Sequence, residues 1–288
     1  MQGTVAQIIA LTTYGNAFVV GAPAFDVSGF YPANSTFLFC EYVRFVYLRQ
    51  KGDALEKVAY ADDPPAWFAR LKKDGVNAIR MIYGSTGGQK LDDKQIADRM
   101  LAGFVGGGGR SLIETITTNG SDFWEARWEV GDQNRADNKI WRVTYRRIAS
   151  NRPTLERQAI EMHELKTRLA DNLAAIGNFA RMRKLDGFAK AFDAGLARLN
   201  AQDPYKGVYR ADLAPDRALP LAAAQLLGAA QAAWVFGGMG SWNDLWIEKD
   251  DQSLYEQLSE DLYQLLNAAT VTAANTSTPP IPANRPRP

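Results

Sequence analysis

Cysteine and histidine are almost missing: the 288 residues hold one of each, Cys40 and His163. A lone cysteine cannot close an internal disulfide, which excludes a disulfide-stapled scaffold. One cysteine and one histidine leave too few soft ligands for a structural zinc site, so no metal is expected. A helical turn away from His163 lie only Ala159 and Thr167, so no histidine-based triad takes shape. A charge excess is missing too. Lys plus Arg total 33 and Asp plus Glu 32. Residues 1–150 hold 18 basic and 16 acidic side chains, and the remainder 15 and 16. Neither half has the basic face that a nucleic-acid partner requires. The first residues lack a basic and then apolar leader, Gly is not at position 2, and no prenylation motif closes the chain. A cytoplasmic protein without signal peptide or lipid anchor is the expectation.

One long run does lack charge, Ala218 to Asn243. Its length matches the ~20 residues that span a bilayer. It is built on Ala and Gly, however, and carries Pro220, Gln225 and Gln231, which hydrocarbon disfavours. A packed interior helix is the expectation, with a membrane-inserting effector as a distant third reading of the protein.

What is present is 46% hydrophobic and 11% aromatic residues, enough to bury real cores. The pattern predicts an α+β fold: a mostly antiparallel sheet with two helices over 1–150, a helical bundle over 151–275, and a disordered Pro-rich tail over 276–288. Residues 5–12 and 17–20, apolar and β-branched around Tyr14-Gly15-Asn16, read as a hairpin. Strands are expected over 36–48, 56–60, 76–83 and 111–118. Asp63-Pro64-Pro65 opens a helix near 65–73. Asp92 and Gln95 frame a second over 93–104, with Ile96, Met100, Leu101 and Phe104 as its buried stripe. Trp124, Ala126, Trp128 and Val130 alternate with charges, as do Trp141, Val143 and Tyr145. Pairing Val130 with Trp141 sets Glu129 opposite Arg142 and Glu125 opposite Arg146. A shift by two would oppose Arg127 to Arg142, so the first register is expected. Helices follow over 153–183, 188–199 and 219–235. A fourth opens at the Ser253/Glu256 capping box, with Leu254, Leu258, Leu262 and Leu265 as its seam.

Candidate chemistry is sparse. Cys40, in an apolar strand, reads as an inert thiol. Gly84 to Lys90 follows a strand, but Gln89 and Leu91 break the Walker pattern and Asp92 and Asp93 repel phosphate, so no cofactor is expected. Glu114 is the first catalytic candidate: if Leu112 and Ile116 face inward with Trp124 and Trp128, so does this carboxylate. A structural ion pair is the competing and favoured reading. Arg110, after the breaker Gly106–Gly109, is the second candidate.

The segment Phe236-Gly237-Gly238-Met239-Gly240-Ser241-Trp242-Asn243-Asp244-Leu245 stands out. Three glycines within four residues end a helix and permit positive φ. Trp234, Met239, Ser241, Trp242, Asn243, Asp244 and Trp246 form a candidate binding set, with a tight structural turn as the alternative. This string resembles the signature of small helical bacterial proteins that close with F-G-G-M-G-S-aromatic-N-D-L and to which no activity is attached. The resemblance covers about residues 165–248, including Phe179-Ala180-Arg181 and Leu226-Leu227, and not 1–150. It implies a bacterial source, a helical unit and company with toxin or conflict loci. The expectation is a non-enzymatic module that binds another protein, with an immunity or accessory protein of a toxin or conflict system as its finer form. The alternative is an enzyme using carboxylate or arginine chemistry in an inter-domain cleft.

Overall fold

The computed structural model describes residues 1–21, 27–91, 94–154 and 160–280. The fold is α+β. Its main sheet has the strands β1 (Cys40–Lys51), β2 (Ala54–Ala61), β3 (Ala78–Gly84), β6 (Arg110–Thr117), β7 (Gly120–Val130) and β8 (Trp141–Arg152) in the order β2-β1-β8-β7-β6-β3. Among the described residues only β1 and β8 run parallel. The short strands β4 (Gln89–Leu91) and β5 (Lys94–Ile96) make a separate hairpin.

The β7–β8 ladder has the expected register: Val130 opposes Trp141, Glu129 opposes Arg142 and Glu125 opposes Arg146. One face, with Trp124, Val143, Tyr145 and Phe45, is buried. The other carries Glu125, Arg127, Glu129 and Arg146. Asp63 caps α2 (Pro64–Lys73) by accepting from the Ala66 N–H at 2.8 Å.

The expected hairpin over 5–20 is instead one helix, α1 (Gly3–Val19). Val5 to Leu11 are buried without a break. A helix enclosed on all sides has no polar face, so its apolar run carries no helical period and reads as β-branched strand. The turn-like Gly15 serves close packing: a Cβ there would stand 2.6 Å from Ile79 Cδ1 and 2.9 Å from Phe68 Cε1. Buried polar groups of α1 at Gln7, Thr13 and Asn16 find partners across the fold. Gln7 donates to Thr36 C=O at 3.1 Å and accepts from Tyr145 OH at 3.0 Å, and Thr13 donates to Leu213 C=O at 2.7 Å.

The expected helix over 93–104 is also corrected. Asp92 lies outside the described residues, Ile96 is in β5, and only the single turn α3 (Asp98–Leu101) is helical. Phe104 and Met100 are exposed rather than buried. Asp98 turns inward instead, accepting from Ser85 Oγ at 2.8 Å, Thr86 N–H at 2.9 Å and Thr86 Oγ1.

Four α-helices follow among the described residues: α4 (Met162–Met182), α5 (Asp186–Arg198), α6 (Leu221–Ala232) and α7 (Lys249–Asn275). The helix expected from 153 begins at Met162; residues 155–159 lie outside the described residues, and Arg152 still belongs to β8. The last helix starts at Lys249, so Ser253 and Glu256 lie inside it and Leu254 faces solvent. The uncharged run is the interior helix α6, where a Cβ on Gly228 would collide with Pro204 C=O. Among the described residues no helix is long and apolar enough to cross a membrane. Of the expected Pro-rich tail, residues 276–280 are described and 281–288 are not. α7 packs on α4, α6, β3 and α1, and buried residues of sheet and helices join one apolar cluster.

The sheet's outer edges differ. β2 carries Glu56 and Lys57, charges that discourage edge pairing. Along β3, side-chain amides take the place of a neighbouring strand. Asn16 of α1 donates to Ile79 C=O and accepts from Ile79 N–H, both at 2.8 Å. Asn275 of α7 accepts from Met81 N–H at 2.8 Å and donates to Met81 C=O at 2.9 Å.

Candidate functional site

The fold brings the two glycine-rich stretches together. A Cβ on Gly103 would collide with the backbone of Gly237 and Gly238, so only glycine allows this approach. Below the contact, Asn243 Nδ2 donates to Arg99 C=O at 2.6 Å, and the Arg99 guanidinium donates to Asn243 Oδ1 at 3.2 Å. Gly108 and Gly109 have φ of +85° and +89°, a region that favours glycine. Gly108 C=O accepts from the hydroxyls of Tyr263 and Tyr83. Burial pushes the Tyr263 phenol up to about 12 and raises that of Tyr83 further, so both stay protonated donors at neutral pH.

The 236–245 segment divides sharply between inside and outside. Trp242 is fully buried among Phe179, Phe188, Phe192 and Tyr255, and its indole N–H donates to Ser259 Oγ at 2.7 Å. Asn243 is buried in its exchange with Arg99. Asp244 accepts from Ser241 N–H at 3.2 Å, and Ser241 Oγ donates to Gly237 C=O at 3.2 Å, closing the turn on itself. Trp234 is half-buried against Tyr263 and donates to Phe236 C=O at 2.9 Å. Of the candidate binding set, Asp244 is exposed, and Met239 and Trp246 stand in solvent at 102% and 84% exposure.

Two exposed side chains join Met239, one of them expected in the buried stripe of 93–104. Phe104 and Val105 are 69% and 60% exposed. They follow Gly103, as Met239 follows Gly238, so all three flank the contact between the loops. The signal for them was present: an apolar pair between Gly103 and Gly106 has no helix to bury it.

Beside this wall runs a cleft of about 870 Å³. Ala102–Gly107 and Trp234–Gly238 form one side, and Trp128 and Trp141, whose rings meet edge to face at 5.8 Å, form another. Arg110, Glu125, Arg127, Glu129, Arg146 and Lys57 supply its charges. Glu125 accepts from Arg110 at 2.7 Å and has Arg146 at 3.9 Å, while Arg127 and Glu129 pair at 3.1 Å.

Glu114, the first catalytic candidate, does not line this cleft. It is fully buried and takes two hydrogen bonds from Arg80, at 2.8 and 3.0 Å. The premise for its orientation is corrected: Trp124 opposes Ile113, so Leu112, Glu114 and Ile116 occupy the opposite face of the sheet. Arg110 does line the cleft. Cys40 is buried, and burial pushes its thiol up to about 11. His163 is exposed in the first turn of α4. In the Gly84–Lys90 loop the Asp98 carboxylate already takes the donors of Ser85 and Thr86 that a phosphate would need. Among the described residues no three His, Cys, Asp or Glu side chains are grouped to hold a metal.

Comparison of the chain with known protein families, with curated proteins and with solved structures finds no match.

Proposed function

We propose that this is a protein-binding module whose partner docks on the wall made by residues 103–109 and 234–246. The observation that carries this reading is the exposure of Phe104, Val105 and Met239 around one tight backbone contact. Grouped apolar side chains on a soluble surface mark interaction sites, and aromatic anchors dominate binding energy. The buried Arg99–Asn243 exchange and the tyrosine clamp on Gly108 support it, since a wall held in place loses little entropy on docking. The finer reading, an immunity or accessory protein of a toxin or conflict system, rests on the resemblance of the 236–245 motif alone.

Affinity capture from a bacterial extract tests the docking wall, with the wild type beside Phe104→Asp and Met239→Asp, each checked for folding by circular dichroism. A partner held in fixed ratio by the wild type and weakened at least about tenfold by both variants is the expected result. A partner kept by both folded variants, or none for any form, overturns the reading.

A further inference from the structure

The cleft holds an unfinished strand edge. Gly131 N–H donates to Ile140 C=O at 2.7 Å, which fixes the phase of the β7–β8 ladder. In an antiparallel pair the main-chain groups of successive residues point to alternate sides. Arg127 and Glu129 therefore bond to β8, and Trp128 and Val130 turn their N–H and C=O groups away from it. On that side the neighbouring strand has stopped. The β6–β7 ladder ends at Leu112↔Glu125, and β6 begins at Arg110. Among the described residues no hydrogen bond reaches these outward groups of Trp128 or Val130.

We infer that an extended segment of the partner, with acidic residues alternating with apolar ones, adds as a short strand along Trp128–Val130, in line with β6. This rests on the protein-binding reading and names how the partner is held. The main-chain groups supply the ladder, as in other cases of strand addition. The two faces of the added strand meet different chemistry. Side chains opposite Trp128 share its face and meet the apolar side of the cleft, with Trp141 and Phe236. The intervening ones share the face of Arg127. There the cleft sets Lys57, Arg110, Arg127 and Arg146 against only Glu125 and Glu129, a cationic surplus that fits carboxylates. Glu125 is already engaged by Arg110, and Glu129 by Arg127. Lys57 is a cation with no ion pair among the described residues.

The test uses the full chain and two blocked decapeptides, one alternating glutamate with valine and one alternating lysine with valine. Fluorescence anisotropy gives the affinities, and amide hydrogen exchange reports on Trp128 and Val130. The glutamate peptide should bind, slow exchange at both amides, and outcompete the lysine peptide at least about tenfold. Val130→Pro deletes one outward donor and leaves the β7–β8 bonds, so binding should weaken about fivefold. Arg127→Glu leaves three cleft charges of each sign and should abolish the preference between the peptides, and it serves as the test if Val130→Pro does not fold. No binding, binding without protection of Trp128 and Val130, or equal binding of both peptides overturns strand addition. The effect of Phe104→Asp on the captured partner is read separately, so the docking wall can survive that failure. A dimer of the free protein that disappears in Val130→Pro makes a second copy the occupant and overturns the acidic-peptide assignment.

Discussion

Two strand edges in this molecule meet opposite fates. Along β3 the outward groups of Ile79 and Met81 are each taken by an asparagine, one from α1 and one from α7. At the far end of β7 the outward groups of Trp128 and Val130 have no such partner, and a cleft lies beside Trp128. Both are edge positions of the ladder, and an uncovered edge invites another strand. The fold closes the first from two helices that are far apart in the chain. It leaves the second open next to an apolar wall and a surplus of arginine. The difference shows that closure was within reach of this architecture.

The comparison can be broken most strongly at the closed edge. Asn16→Ala removes both partners' bonds at Ile79 and strands a buried N–H, for a cost of about 2–3 kcal/mol in urea unfolding. Asn275→Ala, at a half-buried site, should cost about 1–2 kcal/mol. With both changed, β3 becomes an open edge, and concentration-dependent oligomers should appear by size-exclusion chromatography. A double variant that stays monomeric and stable would show that the asparagines do not guard this edge.

The cleft wall has its own lever in pH. Tyr263 holds Gly108, and burial raises its phenol from the usual 10 to about 12. Because the folded state holds this proton more tightly, the contribution is complete below pH 10 and is lost as pH rises towards 12. Tyr83 shifts in the same direction. The urea midpoint should hold steady to about pH 9 and then fall, and Tyr263→Phe should flatten part of that fall. A midpoint independent of pH between 10 and 12 contradicts the clamp.

The smallest effect is expected at the open edge. Val130→Lys places a charge on a half-exposed strand end and should change stability by no more than about 0.5 kcal/mol. Its use is to sharpen the contrast with Asn16: a large loss would mean that Val130 carries packing which its exposure does not reveal.

The same physics decided what could be read in advance. The β7–β8 ladder has one face in water, so its aromatics and charges alternate and even the pairing of Glu129 with Arg142 was legible. In α1 every face is covered, and Val5 to Leu11 carry no period at all. The segment 93–104 misled for another reason: Asp98 is drawn into the loop at Ser85 and Thr86, and Gly103 yields to Gly237, contacts that span long stretches of chain. At the site, the 234–246 segment was recognisable as special, but nothing in it separates Trp242, which fills the core, from Trp246, which meets solvent. The open edge at Val130 was beyond reach, since it depends on where a different strand stops.

The position of α1 has a consequence in time. Its covering layers include α2 and β3, but also α7, which begins about 230 residues after α1 ends. At ribosomal rates of ~5–20 residues per second, that helix follows roughly 10–50 s later. Throughout that interval a run of valine, isoleucine, leucine and alanine waits beside a β3 edge whose second asparagine has not yet been made. For a nascent chain, that is a window in which chaperone binding decides between completion and aggregation.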